Sequence, residues 1–193
     1  MKKRLVIGMS GASGAPLAVE LLRQMKKQEA WETHLVMTEG AKMTLEEETD
    51  LTCKQIEELA TYVYDNHNIG ATIASGSFRA DGMIVIPCSM KTVAGIASGY
   101  SENLLLRAAD VTIKEGRKLV LVPRECPLSQ IHLRNMYELS RMGVVMIPPM
   151  LSYYNRPETV EECTRHIVGK VLDQFDIEGE EYRRWQGMQT DQK

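Results

Sequence analysis

The stretch Gly8-Met9-Ser10-Gly11-Ala12-Ser13-Gly14-Ala15-Pro16 has the residue types and spacing of an anion site. Glycines at 8, 11 and 14 let the backbone come close to a ligand, and Ser10 and Ser13 add hydroxyl donors. A helix opening at about Pro16 turns its free N–H groups toward whatever sits there, and phosphate is the anion that fits best. The spacing is not the G-x-G-x-x-G of dinucleotide sites. The next strand, Leu35-Val36-Met37, ends at Thr38 with Glu39 one place late for a ribose contact, so a mononucleotide is favoured over NAD. A structural turn without a ligand is the plain alternative. Pro87-Cys88-Ser89-Met90-Lys91-Thr92 repeats the theme, offering Ser, Thr and backbone N–H groups between a strand and a helix.

Charges near strand ends suggest a second kind of chemistry. Lys114, Arg124 and Glu125 flank one strand, Arg107 precedes them, and Lys170 follows the aromatic pair Tyr153-Tyr154. Several cations converging near a second anion would make a leaving-group site for phosphate. Against this, Arg107, Asp110 and Lys114 are spaced three and four apart on a helix and suit ordinary surface ion pairs. The loop Pro123-Arg124-Glu125-Cys126-Pro127 is harder to read as surface, because it fixes two charges at the sheet edge where open α/β folds bind ligands. Other chemistries find little support. His34, His67, His132 and His166 share no metal motif, and the serines lack a G-x-S-x-G elbow. Cys53, Cys88, Cys126 and Cys163 are dispersed without a C-x-x-C pair and read as reduced, buried hydrophobes.

The elements that must position these residues alternate. Strands are predicted at 5–7, 34–37, 83–86, 119–122 and 144–147, each a short apolar run. Helices are predicted over 17–25, 40–51, 52–60, 93–97, 104–114, 129–142 and 159–175, with Ser129 as an N-cap and Gly143 as a stop. The polar segment 65–78 reads as a connection, and Glu46-Glu47-Glu48 as a solvated acidic face. Such alternation predicts an α/β three-layer sandwich with a doubly wound, mostly parallel sheet, whose first and third strands lie side by side and share one site.

The totals agree with one α/β domain over 1–177 and a charged tail over 178–193. A hydrophobic fraction of 44% and a charged fraction of 25% are those of a globular protein, and a net charge of −3 gives no footprint for nucleic acid. No apolar run approaches a membrane span, and Lys2-Lys3-Arg4 leads into a strand and not a signal peptide, so a cytoplasmic location is expected.

Beyond the two loops, the chain carries Glu48-Thr49-Asp50, Ser75-Gly76-Ser77-Phe78, Arg107-Ala108-Ala109-Asp110, Pro123-Arg124-Glu125, Pro148-Pro149, Tyr154, Arg156-Pro157 and Arg184-Trp185-Gln186-Gly187. With these the chain resembles the UbiX-type flavin prenyltransferases, which include phenylacrylic acid decarboxylase-like proteins and the B subunits of hydroxyarylic acid decarboxylases. The resemblance implies a Rossmann-like or flavodoxin-like fold, a homododecamer built from trimers, and no metal. It implies transfer of a dimethylallyl group from dimethylallyl phosphate to reduced FMN, giving prenylated FMN for a partner UbiD-type decarboxylase. By motif, Gly11, Ala12, Ser13, Thr38, Ser89, Met90, Lys91, Thr92 and Arg124 would hold FMN. Tyr154 and Lys170 would bind the prenyl phosphate, with Arg107, Lys114 and Glu125 completing that pocket. Ser13, Glu48, Lys114, Glu125 and Trp185 match catalytic positions, which revises the acidic-face reading of Glu48, and in a dodecamer several of these would come from neighbouring subunits.

The chemistry agrees with the charges. Breaking a carbon to phosphate-oxygen bond generates an allyl cation, which needs cations on the leaving oxygen and an electron-rich face such as Trp185. Glu125 suits the later removal of a flavin proton. Two departures from the family pattern stand out: Gly116 in Lys114-Glu115-Gly116-Arg117 where many members have Arg, and Lys170 where some have Arg, with loss of the bidentate fork. The Gly116 form resembles the hydroxyarylic acid branch. Alternative readings are an FMN-dependent decarboxylase acting directly on aromatic acids or a cysteine carboxylate, and a non-catalytic FMN-carrying subunit.

Overall fold

The computed structural model describes residues 2–187. Six strands, β1 (Lys3–Met9), β2 (Trp31–Met37), β3 (Tyr62–Asp65), β4 (Gly82–Cys88), β5 (Lys118–Pro123) and β6 (Val145–Met146), form one sheet in the order β3-β2-β1-β4-β5-β6. Every pairing is parallel, with Ile7 opposite both Leu35 and Ile84. The chain builds outward from β1 to β3, then returns to place β4 on the other side of β1. That reversal is the switch point at which doubly wound sheets open a crevice beyond the strand carboxyl ends. The predicted neighbour relation of the first and third predicted strands is thus met.

Seven helices cover the two faces: α1 (Ala15–Lys26), α2 (Glu39–Glu48), α3 (Cys53–Glu57), α4 (Met90–Ala97), α5 (Leu104–Lys114), α6 (Gln130–Arg141) and α7 (Val160–Leu172). Because side chains alternate along a strand, Leu5, Ile7 and Met9 pack with α1, α2, α3 and α7, whereas Val6, Met83 and Val85 pack with α4, α5 and α6. Gly8 belongs to this packing and not to ligand approach: a Cβ there would stand 3.1 Å from Leu105, so its absence seats α5 on β1.

Local rules account for most boundaries. The α6 start is a capping box, in which the His132 N–H donates to Ser129 Oγ and the Ser129 N–H to His132 Nδ1, both at 3.2 Å. Gly143 ends α6 at a φ of 86° as expected. Gly116 ends α5 the same way: at a φ of 65° its N–H donates to the Ile113 carbonyl at 2.9 Å and that of Arg117 to Thr112 at 2.9 Å. Its presence has a backbone reason independent of any substrate.

Other boundaries differ. The edge strand β3 lies where the sequence pattern shows only a helix end and a connection; four residues are too few to display a period, and its burial comes from β2 alone. Helix α4 begins at Met90 and not Val93, since Ser89 Oγ accepts the Thr92 N–H and starts the helix at once. Segments 40–51 and 52–60 shorten to α2 and α3, and the last helix passes into a 3-10 turn at Asp173–Phe175. Of the four cysteines only Cys88 is fully buried, and Cys126 is exposed, so the reading of all four as buried hydrophobes is corrected. No helix among the described residues is long and apolar enough to cross a membrane. Residues 188–193 of the charged tail lie outside the described residues.

Candidate active site

The crevice beyond β1 and β4 is tied together by one hydroxyl. Ser10 is 1% exposed; its N–H donates to the Pro87 carbonyl at 3.2 Å, and its Oγ accepts the Ser89 N–H at 2.8 Å. The expectation of Ser10 as a ligand donor is therefore corrected: it is consumed in joining the two loops, while Ser13 beside it is exposed. A third loop closes on the first. A Cβ on Gly11 would lie 3.0 Å from the Gly40 backbone, so α2 and its N-cap Thr38 sit directly against the β1–α1 turn. Arg124 joins from β5, its N–H donating to the Cys88 carbonyl at 3.0 Å.

The α1 N-terminus, expected to take a phosphate, already holds an anion. The Gly14 and Ala15 N–H groups both donate to Glu48 Oε2 at 2.8 Å, with Gly14 at a φ of 122° that favours a residue without a Cβ. Partial burial pushes the Glu48 carboxyl up, but the Ser13 hydroxyl, the two amides and the Arg124 guanidinium outweigh it and hold the group below the usual carboxylate range. A second anion at that turn would meet a fixed negative charge. The α4 start differs: the Met90 and Lys91 amides, at its first two positions, have no carbonyl one turn back to bond, and Lys91 adds a cation. A flavin phosphate is thus better matched to Ser89, Met90, Lys91 and Thr92 than to Gly14 and Ala15. The Gly11–Gly40 contact, which a Cβ would open, leaves a thin backbone wall for a planar ring system.

Beside Arg124, a mostly apolar cleft of about 220 Å³ is walled by Met90, Glu125, Leu128, Met136 and Pro148. Glu125 is exposed there, and its Oε1 accepts the Cys126 N–H at 3.1 Å. Tyr154 stands in an aromatic cluster on the α7 side. Its ring meets Trp185 edge-on at 5.3 Å and His166 at 5.6 Å, and its hydroxyl is 3.4 Å from His166 Nε2. Lys170 is exposed one helical turn after His166. His166 and Asn155 bear no motif, and only the four-residue step from His166 to Lys170 marks the former in the sequence.

Arg107 and Lys114 lie elsewhere in the chain. Arg107 donates to Asp110 at 2.6 Å and to the Ala74 carbonyl at 3.2 Å, and Lys114 pairs with Glu115. Both are on α5, across the sheet from α7. Lys114 ends α5 next to the start of β5, whereas Arg124 and Glu125 follow its end, about 16 Å away at about 3.3 Å per residue. A single chain therefore does not bring Arg107 and Lys114 to Glu125, Tyr154 and Lys170. Helical spacing gave the Arg107–Asp110 pair, and the predicted cation cluster requires a second copy. Among the described residues no His, Cys, Asp and Glu side chains gather as a metal site.

Comparison with known proteins places this geometry. Residues 1–173 match the family model described as Flavoprotein. A "Probable UbiX-like flavin prenyltransferase" of Sedimentibacter hydroxybenzoicus is 56% identical over 188 residues, covering 97% of this chain and 100% of the relative. The crystal structure of a dodecameric FMN-dependent UbiX-like decarboxylase from Escherichia coli O157:H7 is similar with a TM-score of 0.95 at 58% identity, covering 95% of this chain and 100% of that one. That of AnUbiX (PadA1) in complex with FMN and dimethylallyl pyrophosphate has a TM-score of 0.95 at 46% identity, covering 97% and 99%. With its switch-point crevice, its Ser10-pinned loops and likeness along nearly the whole chain, the protein belongs to the UbiX-like flavin prenyltransferase family of flavoproteins.

Proposed function

We propose that this chain joins the dimethylallyl group of dimethylallyl phosphate to reduced FMN. The observation that carries the reading is the division of labour between two helix starts: α1 is closed by Glu48, whereas α4 offers unbonded amides and Lys91 to a flavin phosphate. Reduced FMN supplies the electron-rich ring atoms that receive the allyl group. Gly11, Ala12, Ser13, Thr38 and Arg124 line the flavin's remaining contour. Tyr154 and Lys170, joined by Arg107 and Lys114 of a neighbouring copy, neutralise the departing phosphate; Trp185 shields the allyl cation. Glu48, kept ionised beside Arg124, adds a fixed negative charge to the crevice, and Glu125 accepts the flavin proton released at ring closure.

The relative solved with FMN and dimethylallyl pyrophosphate supports this choice of substrates, and the dodecameric relative supports assembly of this chain into a homo-oligomer. The prenylated flavin passes to a UbiD-type decarboxylase acting on hydroxyarylic or phenolic acids, and the tail from residue 178 closes a site in the assembly. The test is anaerobic incubation with reduced FMN and dimethylallyl phosphate, followed by mass spectrometry of the flavin. Gain of one dimethylallyl unit with release of inorganic phosphate is expected. An unchanged flavin mass overturns the reading; carbon dioxide released from an aromatic acid by this chain alone would then mark a direct decarboxylase, and flavin retention without either product a carrier.

A further inference from the structure

We infer that His166 is a positioning residue for the prenyl-donor end of the site: it gives its Nε2 proton to the Tyr154 oxygen and so turns the tyrosine's own O–H outward, toward the donor phosphate. The inference rests on the reading above that Tyr154 and Lys170 receive that phosphate.

His166 is 3% exposed, yet both ring nitrogens have polar neighbours. Asn155 Nδ2 is 3.5 Å from Nδ1 and the Tyr154 hydroxyl is 3.4 Å from Nε2. A neutral imidazole has one donor and one acceptor, and an amide nitrogen only donates. Nδ1 must therefore accept from Asn155, which leaves the ring proton on Nε2, facing Tyr154. A phenol oxygen that accepts a hydrogen bond keeps its own proton free for another partner. The reverse tautomer would draw the Tyr154 proton into the ring and present only oxygen lone pairs to an anion, which repel it.

The surroundings keep this arrangement in place. Burial, and next the charge of Lys170 one turn on, hold the His166 pKa below its ordinary value, so the ring stays neutral with a single proton to place. Tyr154 is held between two rings, His166 at 5.6 Å and Trp185 at 5.3 Å, both edge-on, and Tyr182 closes the far side of His166 at 5.3 Å. Both polar contacts are long, as in sites whose hydrogen bonds tighten when the ligand arrives.

The proton can be located without any substrate. Long-range proton–nitrogen NMR correlation on the full chain, with His166 assigned through its own Cβ, is expected to show the proton on Nε2. A proton on Nδ1, or an even mixture, overturns the inference. In turnover, His166→Phe keeps a ring but loses the donor. It should raise KM for dimethylallyl phosphate about tenfold with kcat within about twofold, the size expected for one hydrogen bond to a charged ligand. His166→Gln, whose amide N–H can take the Nε2 place, should recover most of the loss, and His166→Phe in a Tyr154→Phe background should add nothing. Equal defects in the Phe and Gln variants, or additive losses with Tyr154→Phe, would show mere packing and overturn the positioning role. If the unmodified chain fails to prenylate reduced FMN, the substrate reading fails with it, a result kept distinct because the ring proton is read on the free protein.

Discussion

Ser10 and Ser13 are both serines beside a glycine, three residues apart, and have opposite fates. The first is sealed between two loops and the second faces solvent. Removing the Ser10 hydroxyl orphans the Ser89 N–H, so Ser10→Ala should lower stability by about 1–3 kcal/mol in urea denaturation, whereas Ser13→Ala should change it little. Nothing in the local sequence separates the two, because the deciding contact comes from residues 77 and 79 places away. His34 gives a second prediction. It is buried between β1 and β3, with Nδ1 2.9 Å from the Tyr64 hydroxyl, a stacked Tyr62, and Nε2 without a partner among the described residues. Burial, opposed by Glu32 and aided by Arg4, brings its pKa from 6.5 down to about 4. The unfolded chain therefore takes up a proton first as pH falls. Stability should be full above pH 6.5 and drop by about 3 kcal/mol on the way to pH 4. Denaturation midpoints across that range should show the slope, and His34→Phe should flatten it.

Among the elements, the loops matter through how closely they touch. Gly11 and Gly40 bring two turns into backbone contact, and a methyl at either must push backbone, which yields less than a side chain. Gly11→Ala is expected to weaken FMN binding at least about tenfold, read by flavin fluorescence quenching, while far-UV circular dichroism stays unchanged. Much of this level could be read in the sequence. The apolar runs of β1, β4 and β5 and the full extent of α5 follow from periodicity, and the α6 ends from Ser129 and Gly143. What could not be read was set by partners distant in the chain. The strand β3 exists because β2 offers it an edge, and Glu48 looks like one of three solvated glutamates until the α1 amides claim it.

For the whole molecule, the separation of Arg107 and Lys114 from Glu125 is the informative result. Motif order puts these residues near one another in sequence, but β5 carries the chain from one edge of the sheet to the other between Lys114 and Arg124, a displacement no spacing rule reveals. If a neighbouring copy supplies the cations, two inactive chains should complement. Lys114→Ala and Glu125→Ala are each expected to bind FMN without prenylating it. Oligomers co-expressed from both should regain about a quarter of native activity, the share of sites that draw both intact residues under random mixing. Zero recovery would place both groups in one chain's site. Exposed apolar side chains on α6, among them Ile131 and Tyr137, leave surface suited to contact between copies.

The Glu48 carboxylate seated on the α1 amides has one more consequence. Because a side chain of the same molecule answers those two N–H groups, the glycine turn does not wait for a guest before it settles. The flavin meets a ready-made berth, and association loses little entropy to loop ordering.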